Sequence, residues 1–236
     1  MKVLVIGLGT VGQPTATYLS QFYDVHGFDK KIHRKVPAVD PDVYVLCVPA
    51  DQVRTVCRHV VDPSKLVLIE STMQIGSCRK IAREFSLQLL AHYPHRFWSE
   101  QPLNHGVQQF RVLGALNAAS MNAAIHFYLR AELAFRAVSS LEVAEASKLI
   151  ENAHRFVNIS FAEEIKQLCD HLGLKFEEIR SACNTKWNCE ILEARDGIKG
   201  SCLLKDTGLL AGEYDEAWLL KAAIEVDKEY KRCHGK

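Results

Sequence analysis

The stretch Val3-Leu4-Val5-Ile6-Gly7-Leu8-Gly9-Thr10-Val11-Gly12 decides how the rest of the chain is read. Residues 3 to 7 open as a continuous apolar, largely β-branched run, the pattern of a strand buried on both faces of a parallel sheet. The glycines that follow fit G-x-G-x-x-G, which alone is a weak signal. Here the motif leaves a predicted strand and opens a predicted helix reaching about Tyr23, the context it requires. Gly7 permits the tight turn, Gly9 lets backbone approach a pyrophosphate, and Gly12 lets helix and strand pack closely. The amides of the turn, including those of Thr10 and Val11, then face phosphate oxygens. Asp29 ends the next predicted strand, residues 24 to 29. A carboxylate there binds both hydroxyls of an adenosine ribose and repels a 2′-phosphate. NAD is therefore expected over NADP, a preference tempered by Lys30 and Lys31.

The pattern continues outward. Apolar strand runs at 42–50, 65–72, 87–93 and 110–116 alternate with helical stretches at 51–60 and 75–85, which predicts an α/β domain with a largely parallel sheet. After residue 117 the chain becomes mostly helical. An Ala-rich helix at 117–134 and a short strand at 134–140 lead to Ser139-Ser140-Leu141-Glu142, which offers a capping box. The helix it opens runs to about Leu172 and stops at Gly173, a natural C-cap. Shorter helices are expected at 175–183, 206–212 and 215–231. The expected architecture is a trimmed Rossmann-type parallel sheet domain, residues 1–137, followed by a mostly helical domain, residues 138–236, with one long central helix.

Bulk composition excludes several classes. The 236 residues are 48% hydrophobic and 24% charged, ordinary for a globular protein, and the net charge of +1 favours neither nucleic acid nor an acidic membrane. No apolar run approaches the ~18 residues that span a bilayer. The first apolar run leads into a glycine turn and not into a cleavage site, so a cytoplasmic location is expected. KKIHRK, residues 30–35, reads as a solvated loop. Eight cysteines contain no CxxC pair and fit no common zinc spacing, so free thiols and no metal site are expected. Most read as small core residues. Cys202 is different, because GIKGSCLLKDTG (197–208) sets it among glycines and charges.

Lys148 and Asn152 lie four residues apart on one face of the long predicted helix. A lysine beside an amide can hold a substrate hydroxyl and stabilise a developing alkoxide. The same spacing also suits a solvated face.

Taken together, the segments resemble the UDP-glucose/GDP-mannose dehydrogenase family. VLVIGLGTVGQP is similar to that family's opening turn, and IESTMQIGSCRKIA to its S-T-x-x-x-G-x-x-R-x-I segment. YPHRFWSEQPLNHGVQQFRVLGA resembles its P-E-R…R-V-V-G-G segment, and AEASKLIENAHRFVNISFAEEI its central helix. CNTK, GIKGSCLLKD and LLKAAIEVDK follow in the family's order, so the resemblance is collinear from residue 1 to about 228. It implies oxidation of a primary alcohol to a carboxylate with two NAD. Cys202 would attack the intermediate aldehyde, and the thiohemiacetal would become a thioester that water cleaves. Lys148, Asn152 and Asp206 fall on catalytic positions, and Thr72 on a threonine that meets cofactor and catalytic water. Val48 and Pro49, ending the third predicted strand, join the cofactor-binding set. Bottom-up chemistry agrees: nearby cations promote a reactive thiol, and Lys148, Lys199 and Lys205 are candidates to supply them.

Three departures stand out. His95 occupies the place of the family's glutamate base, and histidine can serve as a base near neutral pH. Lys199 and Ser201 replace a glycine and a histidine before the cysteine. The connection from Asp29 to the strand at 42–50 is short, so a helix and a strand of the nucleotide half-domain are expected to be absent. The chain also ends where the family continues into a second α/β domain, so a compact form lacking that domain is expected. The long helix, with Ile150, Phe156, Ile159 and Ile165, predicts a homodimer. A second chain supplying a substrate-binding domain stays open as a further partner. Two other functions stay open beside the leading one: a two-electron β-hydroxyacid-type dehydrogenase needing no thiol, and a non-catalytic NAD-binding subunit of a larger assembly.

Overall fold

The computed structural model describes residues 1–234. The chain forms two compact units, Met1–Lys148 and Leu149–Lys236. The first holds seven strands: β1 (Lys2–Ile6), β2 (Asp24–Phe28), β3 (Val43–Leu46), β4 (Leu66–Ile69), β5 (Leu89–His92), β6 (Arg111–Ala115) and β7 (Phe135–Ala137). Its helices are α1 (Gly12–Leu19), α2 (Ala50–His59), α3 (Ser77–Glu84) and α4 (Ala118–Arg130). α5 (Leu141–Leu172) begins in the first unit and runs on in the second, which also holds α6 (Phe176–Cys183), α7 (Cys202–Ala211) and α8 (Trp218–His234).

The strands form one sheet in the order β2-β1-β3-β4-β5-β6-β7, all neighbours parallel except β5 and β6. The pleat sends alternate side chains to opposite faces, and each face buries its own cluster. Val3, Val5, Val43, Val45 and Leu68 pack with Phe127 and Tyr128 of α4. Leu4, Ile6, Leu46, Val67 and Ile69 pack on the other side with Val53 of α2 and Ile81 of α3. Burial on both faces is why these strands read as unbroken apolar runs. Residues 29–42 join β2 to β3 with neither helix nor strand. The sheet therefore lacks the outermost strand of the 3-2-1-4-5-6 order, and β2 is its edge.

Helix ends follow local chemistry with one correction. Asn117 caps α4, its side chain accepting from the Ser120 amide at 2.8 Å. α5 is capped by Ser140 Oγ, which accepts from the Val143 amide at 3.3 Å. α5 opens at Leu141, so the cap is Ser140 and not Ser139, and the Glu142 carboxylate pairs with Arg79 of α3, at 3.0 Å from Nη2. Gly173, at φ +69°, ends α5 as expected.

In the second unit, Phe156, Ile198 and Ala223 form one cluster, and Ala162, Cys169, Phe176 and Ile191 another. Phe156 is therefore core and not spare surface for a partner. Ile159 and Ile165 are partly buried in the same clusters, and of the four residues expected on an open face only Ile150 is exposed. α7 starts at Cys202, four residues earlier than the sequence suggested.

Candidate active site

In the first unit, the residues expected to bind a dinucleotide gather at the carboxyl ends of neighbouring strands, where open α/β sheets hold ligands. The glycine turn follows β1. Gly7 has φ +91°, and a Cβ on it would lie 2.8 Å from Val48 Cγ1. A Cβ on Gly12 would lie 1.7 Å from the Gly7 carbonyl oxygen, so only glycine closes this turn. A Cβ on Gly9 would meet nothing within 4 Å, so that face of the turn is open to a ligand. Thr10 is exposed, and Val11 is the N-cap of α1. Asp29 follows β2 and grips the turn: Oδ2 accepts from the Leu8 amide at 2.9 Å and Oδ1 from the Lys31 amide at 2.8 Å. The Lys31 amide leads the causes that lower its pKa, so the carboxylate stays charged with lone pairs to spare. Val48 and Pro49 follow β3, Pro49 as the N-cap of α2. Thr72 is half-buried after β4, beside Ser71, whose hydroxyl donates to the Leu46 carbonyl at 3.3 Å. These residues fit a dinucleotide: a cradle that a Cβ would fill, and an ionised acid one strand away.

A buried charge cluster lies at the ends of β4 and β5. Glu70, 1% exposed, accepts from Tyr128 Oη on Oε1 at 3.0 Å and from Arg111 Nη1 on Oε2 at 3.2 Å. His95 Nε2 stands 2.5 Å from the same Oε2 and 3.2 Å from Thr15 Oγ1. Arg111, also 1% exposed, stacks over the Tyr93 ring at 3.7 Å and reaches the Val107 carbonyl at 3.3 Å. Burial pushes the Glu70 carboxyl up, but Arg111 and His95 outweigh it and hold its pKa at about 2. His95 is pushed down, first by burial and then by Arg111, with Glu70 opposing and Lys148 adding to the fall. The structure thus brings Lys148 within electrostatic range of His95, and burial favours the uncharged imidazole. Cys47 Sγ, a Glu70 oxygen and a His95 nitrogen lie within 4.8 Å of one another. Nitrogen and oxygen ligands of one ion would stand about 3 Å apart. The 2.5 Å contact is instead a hydrogen-bond distance, and Arg111 shares the carboxylate.

In the second unit, Cys202 is exposed at the first residue of α7, among amides with no partner inside the helix. Asp206 lies one turn on and is 1% exposed. Its Oδ2 accepts from Asn152 Nδ2 at 2.6 Å, which ties α7 to α5. The cations expected to serve the thiol face carboxylates: Lys199 is 3.0 Å from Asp196, and Lys205 is 3.3 Å from Asp206 Oδ1. The turn before Cys202 is anchored by Asp227 of α8, which accepts from the Ile198 amide at 2.8 Å.

Sequence reasoning missed Glu70, Arg111, Glu145 and Asp227. Glu145 of α5 accepts from the Gly76 and Cys78 amides at 2.6 and 2.7 Å and so caps α3 from a distance. The available signal was a charge set against an apolar strand, as in LVLIE and FRVLGA, because such a charge needs a buried partner.

Residues 142–229 match the sequence model of the UDP-glucose/GDP-mannose dehydrogenase family, central domain. UDP-N-acetyl-D-mannosamine dehydrogenase of Methanococcus maripaludis is 25% identical over 277 residues, which covers 96% of this chain and 65% of that protein. The chain therefore spans about two thirds of the length of the curated relatives it matches. That alignment is longer than the chain itself, so the relative carries segments inserted within it. UDP-D-ManNAc dehydrogenase from Pyrococcus horikoshii superposes with a TM-score of 0.84 at 27% identity, covering 98% of this chain and 69% of the other. The fold is shared more widely. 3-Hydroxyisobutyrate dehydrogenase of Mycobacterium tuberculosis gives a TM-score of 0.77 at 17% identity, covering 99% of this chain and 94% of that one. No helix among the described residues is long and apolar enough to cross a membrane.

Proposed function

We propose that the chain is a member of the UDP-glucose/GDP-mannose dehydrogenase family, whose central-domain model matches residues 142–229, and that it oxidises the primary alcohol of a nucleotide sugar to a carboxylate with NAD. The observation that carries this reading is the join of Asn152 to Asp206 at 2.6 Å, one helical turn from an exposed Cys202 that opens α7.

Gly7, Gly9, Thr10, Val11 and Gly12 would hold the pyrophosphate, Asp29 the adenosine ribose, and Val48, Pro49 and Thr72 the remainder of the cofactor. NAD, when bound, would supply the oxidising equivalents, one hydride being taken at the alcohol carbon and a second, by a second NAD, from the adduct of the aldehyde with Cys202. Cys202 supplies sulfur for addition to the aldehyde carbon, which holds the intermediate on the chain. Asn152 donates to the oxyanion that forms there, and Asp206 fixes the orientation of its amide. Lys148, one turn before Asn152 on α5, supplies positive charge to the same oxygen. By the resemblance, His95 would be the base that takes a proton from the hydrolytic water.

The protein acts in the cytoplasm as a homodimer. Ile150, Phe161, Leu168 and Leu172 of α5 support this, each at least half exposed on one long helix. The test is stoichiometry with candidate UDP-sugars. Two NADH per carboxylate are expected, and Cys202→Ala should give no acid. One NADH per turnover, unchanged by Cys202→Ala, would select a two-electron dehydrogenase instead.

A further inference from the structure

Both neighbours of His95 Nε2 are placed to accept a hydrogen bond. Glu70 Oε2, at 2.5 Å, belongs to a carboxylate that already receives Arg111 and Tyr128. Thr15 Oγ1, at 3.2 Å, sends its one hydrogen to the Val11 carbonyl at 3.0 Å, the helical i−4 position. Two acceptors converging on one ring nitrogen require that it carry the hydrogen. In a neutral imidazole the other nitrogen is then an acceptor. That atom, Nδ1, is buried and has no hydrogen-bond partner among the described residues.

We propose that Glu70 is a positioning residue that locks His95 in the Nε2–H form, so that Nδ1 is the proton-accepting atom of a carboxylate–imidazole pair. The clamp on Glu70 explains why the pairing is rigid. Arg111 and Tyr128 fix the carboxylate, and Arg111 is itself fixed by the Val107 carbonyl and the Tyr93 ring. A water that gives its proton to Nδ1 leaves as hydroxide attacking a carbonyl carbon, and the imidazolium left behind faces the Glu70 carboxylate across Nε2–H. Charge therefore develops beside its counter-ion and not in an apolar pocket.

The inference rests on the reading of His95 as the hydrolytic base, but its test does not need turnover. In the uniformly ¹⁵N-labelled full chain, long-range ¹H–¹⁵N correlation reports which imidazole nitrogen is protonated, with the His95 ring assigned by its loss in His95→Gln. A single Nε2–H tautomer is expected at pH 7. An Nδ1–H ring, or a doubly protonated one at pH 7, would overturn the proposal. Glu70→Gln keeps an oxygen for Arg111, and if it folds, the single-tautomer signature should give way to a mixture. An unchanged signature in that folded variant would remove Glu70 from the role. A correct tautomer in a protein without NAD-dependent turnover would sink the dehydrogenase reading and leave the Glu70–His95 pairing standing.

Discussion

Replacing Glu163 with glutamine should make this protein more stable, and only above mildly acidic pH. Glu163 lies on α5 with no exposed surface, and neither carboxylate oxygen has a hydrogen-bond partner among the described residues. Burial first, and then the Asp227 carboxylate, push its pKa from 4.5 to about 7, with Lys231 opposing. Tyr230 senses it as well. A carboxyl whose pKa is higher in the native state binds its proton more tightly there. Stability therefore falls as pH rises from the unfolded pKa to the folded one. At about 1.4 kcal/mol per unit, the window from pH 4.5 to about 7 is worth roughly 3 kcal/mol. Glutamine keeps the shape and cannot ionise. The stability of Glu163→Gln minus that of the parent should thus grow by up to roughly 3 kcal/mol between pH 4.5 and pH 8. Urea unfolding followed by circular dichroism at pH 4.5, 6, 7 and 8 measures it. A difference that does not change with pH would refute the reasoning, because it would mean the native state leaves this carboxyl as solvated as the unfolded chain does. Asp227→Asn should shrink the same slope by removing the neighbouring charge while keeping an oxygen for the Ile198 amide.

Two glycines of the turn should separate folding from binding. Gly12→Ala puts a Cβ 1.7 Å from the Gly7 oxygen and should cost at least about 2 kcal/mol in urea unfolding. Gly9→Ala meets nothing within 4 Å, so stability should stay within about 0.5 kcal/mol. Its calorimetric NAD affinity should nonetheless drop tenfold or more, and an unchanged affinity would displace Gly9 from the pyrophosphate role. Arg111→Met leaves a buried carboxylate without its cation and should lose about 3–5 kcal/mol at pH 7. That deficit should narrow as pH falls from 4.5 towards 2, because Glu70 stabilises the native state only above its folded pKa of about 2. Asn117→Ala removes the cap of α4 and should cost about 1 kcal/mol in the same assay.

The sheet was legible because its strands are buried on both faces, and the turn because glycine spacing encodes backbone geometry. Residues 24–29, 42–50, 65–72, 87–93 and 110–116 each contain the strand expected of them. The thiol, its aspartate and the asparagine were legible as a spacing. The distance that joins Asn152 to Asp206 was not, since it depends on how two helices pack. Glu70 and Arg111, 41 residues apart, are a long-range pair, and no local pattern reports which buried charge finds which partner. The start of α7 was placed late because Gly197, Gly200 and Ser201 read as loop up to a charged run, whereas helical backbone begins at Cys202 itself. Glu142 looked like a box partner because its spacing was right, and the arginine of another helix claims it.

The short path from β2 to β3 has a consequence for behaviour in concentrated solution. With no strand outside it, β2 presents an open row of amides and carbonyls along the rim of the sheet, the template on which chains add edge to edge. The strand is only five residues long, opens on Asp24, which pairs with His26 at 3.3 Å, and carries Gly27 near its end. Shortness and charged side chains are among the means by which natural sheets discourage such addition. Their concentration on this one strand marks where a chain with a trimmed sheet guards against aggregation.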